Sequence, residues 1–410
     1  MSSGSMPRAR HPQLFRWSDA LDPLDYVRAR YRVSSRHDAD STAMAMAMEQ
    51  SAATTMIDGY VEPDMLREWT LRVVDARPAE AAGISELQSY QLETEVYASG
   101  GEAERSWMVE LAIPRRLLAG KAAQLFNVAV GEIPRLGFLT RFQLQALELP
   151  EDFGPGPGFG IDGIRERFAV PRGPLLCRSM RPAVGLDTDV MARLNHDVLV
   201  GGFHLVKDDE LQVFADNRVF RRHVEAMVAA RDQARAATGE RKGYLANLIC
   251  EPEELAERWE IVTALGVDAV LVAPAIQGFG TMAMLAREQR VPILAHNTFS
   301  DLMTRHPAWG IAHEVLAGWM QRFGADWFVT SGEHGQPGHE GLPGTTMRGR
   351  RSMPILQGGK HPQGLEGYRA SIGDDDYMLI VASWVDAHPR RLQGGARVFR
   401  DAVDAQLQAG

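Results

Sequence analysis

From about residue 170 onward the chain repeats one unit eight times, a short apolar run followed in most cases by an amphipathic helical pattern. The runs are "PLLCRSM" (174–180), "GFHLV" (202–206), "GYLANLI" (243–249), "DAVLVAPA" (268–275), "VPILAHN" (291–297), "DWFVTS" (326–331), "SMPILQGG" (352–359) and "YMLIVAS" (377–383). Short apolar runs bounded by Gly, Pro or polar residues suit strands buried on both faces. Helical patterns lie between them, among them 216–238, 252–266 and 310–324. Eight such alternations over about 240 residues predict a (β/α)8 barrel. A doubly wound open sheet is the alternative that the same alternation allows.

The preceding part, residues 20–150, reads as a separate α+β domain. Strands are expected at 25–33, 68–76, 91–99 and 106–114, and helices at 42–54 and 115–131. The Pro- and Gly-dense "PEDFGPGPGFG" (150–160) is the expected boundary, with the barrel over 151–410. A net charge of −9 leaves no basic stripe for nucleic acid, and none is expected as a partner. Cys177 and Cys250 form no disulfide framework or zinc pattern. The start lacks an apolar signal region, and no apolar run approaches the ~20 residues that span a membrane. The expectation is a cytoplasmic protein without membrane association.

In a barrel the chemistry sits at the C-terminal ends of the strands. Polar residues gather there in this sequence: Arg181, Lys207, Asp208, Asp209, Glu210, Asn247, His296, Asn297, Ser331, Glu333, His334, Gln357, Gly358, Gly359, Ser383, Asp386 and His388. The densest group is "GGFHLVKDDE" (201–210). The chain has four lysines (121, 207, 242 and 360) among 44 basic residues, so a lysine at 207 is unusual. Arginine serves plain ion pairing, whereas lysine can also act as a nucleophile or be modified. Adjacent carboxylates suit a hard divalent cation such as Mg²⁺. Residues i and i+2 of a strand share a face, so Lys207 and Asp209 point into one space. A lysine ammonium is a poor cation ligand, but reaction with CO₂ would turn it into an oxygen-bearing carbamate.

"GGFHLVKDDE" resembles a motif of the RuBisCO superfamily, a Gly-Gly pair, four strand residues, then Lys-Asp-Asp-Glu. The resemblance extends from about residue 25 to the end. It includes "RGPLLCRSMRPAVGLD" (172–187), "MEQSAATT" (48–55), "VPILAHN" (291–297), "LQGG" (356–359) and "RHPAWGI" (305–311), the last similar to RuBisCO-like proteins. It implies a (β/α)8 barrel preceded by an α+β (ferredoxin-like) domain, and Mg²⁺ held by a carbamylated Lys207 with Asp209 and Glu210. It also implies that Glu49 enters a neighbouring subunit's site, so that the working unit is a homodimer or a multiple of dimers.

Departures from the family pattern separate the chain from CO₂-fixing enzymes. The family's Lys-Pro-Lys after strand one is Arg181-Pro182-Ala183 here, and arginine holds its proton too tightly for general acid–base work. The strand-six loop "SGEHGQPGHEG" (331–341) has no lysine, and a glycine triplet after strand eight is replaced by "ASW" (382–384). Glu132 stands where the family has an asparagine. The expected proton carriers are His296, His334, Glu132 and Asp187, with His296 first. Arg181 suits the grip of a carboxylate or phosphate. Asn297, Gln357, Gly358, Gly359 and Ser383 are the expected substrate contacts. The expectation is an enzyme that stabilises an enediolate of a sugar acid or mono-phosphorylated sugar, with decarboxylation of a 3-oxo acid sugar favoured over isomerase or enolase chemistry. A binding or regulatory protein without catalysis is the alternative.

Overall fold

The structure, a computed structural model, describes residues 11–51, 67–80, 104–181, 183, 186–329 and 346–409, without the side chains of Glu49 and Ala409. The chain divides into two compact units, Met1–Gly154 with Ser300–Leu316, and Pro155–Phe299 with Ala317–Gly410.

In the first unit, strand β1 (Tyr26–Ser35) alternates by design of its sequence. Val27, Ala29, Tyr31 and Val33 are fully buried, and the arginines between them face outward. Helix α1 (Ala39–Gln50) is apolar on every side from Ala43 to Met48, and those residues are buried. Strands β2 (Arg72–Pro78), β3 (Arg105–Pro114) and β4 (Arg141–Glu148) complete an antiparallel set around β1. A fifth strand, β10 (Trp309–Ile311), arrives from far along the chain and pairs in parallel with β4, so the order is β10-β4-β1-β3-β2. Residues 300–316, read from sequence as barrel, therefore belong to this unit. The expected helix over 115–131 is broken at Ala119 and Gly120, both with positive φ, into Arg115–Leu118 and Ala122–Phe126 followed by a wide turn at Asn127–Gly131. The strand expected at 91–99 lies outside the described residues.

In the second unit the open-sheet alternative is replaced by a closed barrel. Each of the eight apolar runs supplies one parallel strand: β5 (Leu175–Ser179), β6 (Leu205–Lys207), β7 (Gly243–Asn247), β8 (Ala269–Val272), β9 (Ile293–Ala295), β11 (Trp327–Val329), β12 (Met353–Leu356) and β13 (Met378–Ile380). Closure comes from β13 pairing with β5 and β9 pairing with β11. The barrel interior is filled by Leu175, Leu205, Leu245, Leu271, Leu294, Trp327, Ile355 and Met378.

Helix α2 (Gly160–Phe168) adds Ile161, Ile164 and Phe168 to that cluster and stops the N-terminal mouth. Its first free amides are met by Asp326 Oδ1, which accepts from Phe159 N at 2.7 Å and Gly160 N at 2.8 Å. The outer helices include α3 (Thr188–Val200), α4 (Asn217–Thr238), α5 (Pro252–Ala264), α6 (Phe279–Glu288), α7 (His313–Arg322), α8 (Leu365–Ile372) and α9 (Arg391–Ala409). None of the helices among the described residues is long and apolar enough to cross a membrane.

Candidate active site

Strand β6 ends in the lysine, and the chain turns as soon as it leaves the ladder. Alternation then sends the two aspartates to opposite sides. Asp208 points into the barrel wall, where Oδ1 contacts His223 Nε2 at 3.0 Å. Its Oδ2 accepts from the Tyr244 hydroxyl at 2.6 Å and from Asn247 N at 3.1 Å. Asp208 is thereby consumed as an anchor. Asn247 adds a staple, its Nδ2 donating to Asp209 O at 3.0 Å and Gln212 O at 3.3 Å.

Lys207 and Glu210 face a cavity of about 680 Å³ at the C-terminal mouth, with Asp209 beside them. Lys207 is 1% exposed, and its Nζ lies 3.0 Å from Glu210 Oε2 and 3.0 Å from Asp208 O. Asp209 Oδ2 accepts from Ser179 Oγ at 3.2 Å and pairs with Arg181 Nη2 at 3.0 Å, while its Oδ1 accepts from Leu211 N at 3.1 Å. Arg181 also reaches to 3.7 Å from Glu210 Oε1.

His296 follows β9 and is buried, with Nε2 3.4 Å from Glu210 Oε2. Thr298 N donates to its Nδ1 at 3.2 Å, which leaves the ring proton on Nε2, aimed at the cluster. Among the described residues that nitrogen has no well-aligned acceptor, so it is a donor open to an oxygen. Burial, reinforced by Lys207, lowers the His296 pKa to about 4 against the opposing pull of Glu210 and Asp209. For Glu210, burial works upward, but Lys207 and then His296 outweigh it and bring the carboxyl down to about 2. The arrangement is a neutral histidine, a lysine and two carboxylates on one floor.

The walls carry the remaining expected contacts. Gln357, Gly358, Gly359 and Ser383 line the cavity, and Gln357 Nε2 donates to Asn297 Oδ1 at 3.3 Å. Gly358 and Gly359 have φ of 76° and 59°, with open space where a Cβ would stand, so their peptide groups are accessible to a ligand. Trp384 also lines the cavity and fills the place of the expected glycine triplet.

Other expectations fall elsewhere. Asp187 caps α3, accepting from Asp189 N at 2.9 Å, and is not among the described residues that line the cavity. Glu132 lies in the first unit and pairs with Arg135. Gln50, at the end of α1, clamps that region by accepting from Glu132 N at 3.2 Å and Ile133 N at 3.1 Å. Glu49 is in α1, with its side chain outside the described residues, as are Ser331, Glu333 and His334.

Sequence reasoning missed Ser179, Lys360 and His361, all lining the cavity. The signal for Lys360 was present, since it is one of four lysines and directly follows the Gly-Gly pair. Arg178 was also missed. It is 1% exposed, and it donates through Nε to Asp386 Oδ1 at 2.9 Å and through Nη2 to Arg181 O at 2.9 Å, holding the first-strand loop.

The donor set can be tested for a divalent cation. Among the described residues no three His, Cys, Asp or Glu side chains converge as a metal site. Asp209 and Glu210 supply two carboxylates, and the place of a third is held by the Lys207 ammonium. A carbamate on Lys207 would remove that charge and add the missing oxygens, so the residues fit Mg²⁺ with the lysine modified and not with it free.

A family model described as "Ribulose bisphosphate carboxylase large chain, catalytic domain" matches residues 160–341. The chain is 27% identical over 407 residues to a ribulose bisphosphate carboxylase-like protein of Archaeoglobus fulgidus, covering 95% of this chain and 90% of that one. It is 25% identical to a 2,3-diketo-5-methylthiopentyl-1-phosphate enolase of Bacillus velezensis, covering 94% of each. The fold matches a dimeric archaeal Rubisco from Hyperthermus butylicus with a TM-score of 0.82 at 23% identity, covering 97% of this chain and 94% of that one.

Proposed function

We propose that this chain is a RuBisCO-like protein of the RuBisCO superfamily, a non-carboxylating enzyme that works through an enediolate of a small anionic sugar derivative. The observation that carries the proposal is the buried Lys207 Nζ, 3.0 Å from Glu210 and next to Asp209, at the barrel's catalytic mouth. Lys207 as a carbamate, Asp209 and Glu210 would hold Mg²⁺. A divalent cation bound there would supply Lewis-acid stabilisation of negative charge developing on adjacent substrate oxygens, worth several kcal/mol.

The protein groups then select what is bound and where protons go. His296 presents its Nε2 proton toward the cluster and serves as the donor to a substrate oxygen. Arg181, 3.0 Å from Asp209 in this state, would move to a substrate carboxylate once Asp209 turns to the cation. The Gly358 and Gly359 amides and Lys360 offer one anion subsite, and Trp384 closes the space where a second would be. The favoured substrate is therefore a sugar acid or mono-phosphorylated sugar, and the favoured reaction is loss of CO₂ from a 3-oxo acid sugar. Glu49 and His334 remain proposed contributors, Glu49 from the partner subunit of a homodimer, and Glu132 a third.

The enolase of Bacillus velezensis, similar over 94% of each chain, supports a second reading, isomerase or enolase chemistry on a sugar phosphate. The two separate by assay in the presence of Mg²⁺ and bicarbonate. Release of labelled CO₂ from 3-oxo sugar acids marks the first. Deuterium uptake from solvent without carbon loss marks the second. A protein that turns over neither class, and binds them equally well with and without Mg²⁺, is a binding protein and not an enzyme. Productive turnover of ribulose bisphosphate would overturn both catalytic readings.

A further inference from the structure

The barrel has a second polar cavity, at the mouth opposite the catalytic one. It measures about 600 Å³ and is framed by the segments that lead into β5, β6 and β7, together with the last turns of α9. Three arginines from three different segments line it, Arg172, Arg241 and Arg400, with His204 at its wall. The two acids that also line it are already engaged. Asp404 accepts from Arg400 Nε at 2.9 and 3.0 Å, and Glu240 pairs with Lys242 Nζ at 2.5 Å. Among the described residues Arg172 and Arg241 have no carboxylate partner, and Arg241 Nη1 caps the end of α2 through Glu166 O at 2.7 Å and Arg167 O at 3.4 Å. In a chain of net charge −9 this is a local excess of positive charge.

The second observation is a hydrogen-bonding conflict. His204 is 5% exposed. Its Nδ1 faces Leu176 N at 2.9 Å, and its Nε2 faces Arg400 Nη1 at 2.9 Å. Both neighbours are donors, and a guanidinium cannot accept. A neutral imidazole has only one accepting nitrogen, so in either tautomer one N–H points at another N–H. Protonation would make both contacts donor against donor, and burial with the nearby Arg400 and Lys242 already keeps the ring neutral. Keeping the Leu176 amide satisfied puts the proton on Nε2, against Arg400 Nη1 at the cavity wall and, among the described residues, without an acceptor. A buried donor in that position costs free energy until an oxygen reaches it.

We propose that this cavity is a binding site for a phosphate group, with His204 Nε2 and Arg400 as donors and Arg172 and Arg241 as the neutralising charges. A phosphate monoester dianion offers only acceptors and hydrogen phosphate offers three acceptor oxygens beside one O–H, which matches a wall made of donors, and the volume admits either. The conclusion is independent of the chemistry at the other mouth.

The test uses the full-length protein and two probes, inorganic phosphate and glycerol phosphate, each against chloride at matched ionic strength. Thermal unfolding and calorimetric titration give the stabilisation and the affinity. Arg172 and Arg241 are exposed, so Arg172→Gln with Arg241→Gln leaves the fold intact. The expected result is a phosphate-dependent rise in Tm in the parent, a loss of affinity of at least about tenfold in the double variant, and no loss in Arg181→Gln at the catalytic mouth. Tighter binding of glycerol phosphate identifies a monoester site; equal or weaker binding identifies a site for the free ion. Nitrogen NMR of the His204 ring should show Nε2 shifting on phosphate addition while Nδ1 stays an acceptor. No stabilisation in the parent, stabilisation unchanged in the double variant, or stabilisation lost in Arg181→Gln would each overturn the proposal.

Discussion

Asp208 and Asp209 are neighbours in the chain and have opposite fates. The period of a strand decides this, turning Asp209 toward the cavity side and Asp208 into the wall. Asp208 accepts from Tyr244 and Asn247 and contacts His223, all of them buried. Asp208→Ala removes that common partner and is expected to destabilise the fold by about 3–5 kcal/mol in denaturant titration. Asp208→Asn keeps the size and loses part of the bonding. The expected result is a modest stability loss with Mg²⁺ affinity about 10- to 100-fold weaker, because the loop carrying Asp209 and Glu210 loses its fixed origin. Unchanged Mg²⁺ affinity in Asp208→Asn would show that the loop holds its position without the anchor. The sequence made Lys207, Asp209 and Glu210 legible as a group, because their spacing and the scarcity of lysine are visible in one dimension. It did not make legible that Arg181 rests on Asp209 or that Ser179 donates to it, since those contacts depend on β5 and β6 lying side by side.

At the scale of elements, all eight barrel strands were legible as apolar runs, because strands covered on both faces need little else. The excursion 300–316 was not. Its strand β10 is three residues long, contains Gly310, and is defined only by its pairing with β4. The break at Ala119 and Gly120 was missed for a related reason, since a left-handed alanine leaves no mark in composition.

Helix α2 offers two tests of how the barrel is stoppered. A Cβ on Gly243 would stand 2.3 Å from Phe168 Cε1, so Gly243→Ala is expected to cost about 1–3 kcal/mol. Adding Phe168→Leu should recover part of that loss, and strict additivity of the two would show that they do not touch. Asp326 ties α2 to β9 through Phe159 N, Gly160 N and Ile293 N. Burial raises its pKa to about 6, against the pull of those amides. An acid raised in the fold binds more protons folded than unfolded, so its contribution to stability grows as pH falls through 6 toward the unfolded value. Between pH 7 and pH 5 this amounts to about 1 kcal/mol. Denaturant titration at both pH values should show the stability difference between the parent and Asp326→Asn growing by that increment at pH 5; the buried neutral His204 and His296 lose stability over the same range in both proteins and cancel in the difference.

Considered whole, the molecule joins a five-stranded mixed sheet unit and a closed barrel in one chain, with an acidic balance of −9. The proposed part of Glu49 in a neighbouring subunit makes assembly a condition of activity. Sedimentation should give the mass of two chains or a multiple, and mixing Glu49→Gln with Lys207→Met subunits should restore part of the activity that each lacks alone. Full activity in separated single chains would remove Glu49 from the site. The central claim is that Lys207 becomes an oxygen-bearing group completing a two-carboxylate Mg²⁺ site. The measurement that tests it most directly is the intact mass of the Lys207 peptide after incubation with Mg²⁺ and bicarbonate and alkylative trapping, with Lys207→Met as control. A trapped adduct of one CO₂ in the parent, absent in the control and dependent on Mg²⁺, is the predicted result. A free lysine, together with no binding of Mg²⁺ at millimolar concentration, would contradict it.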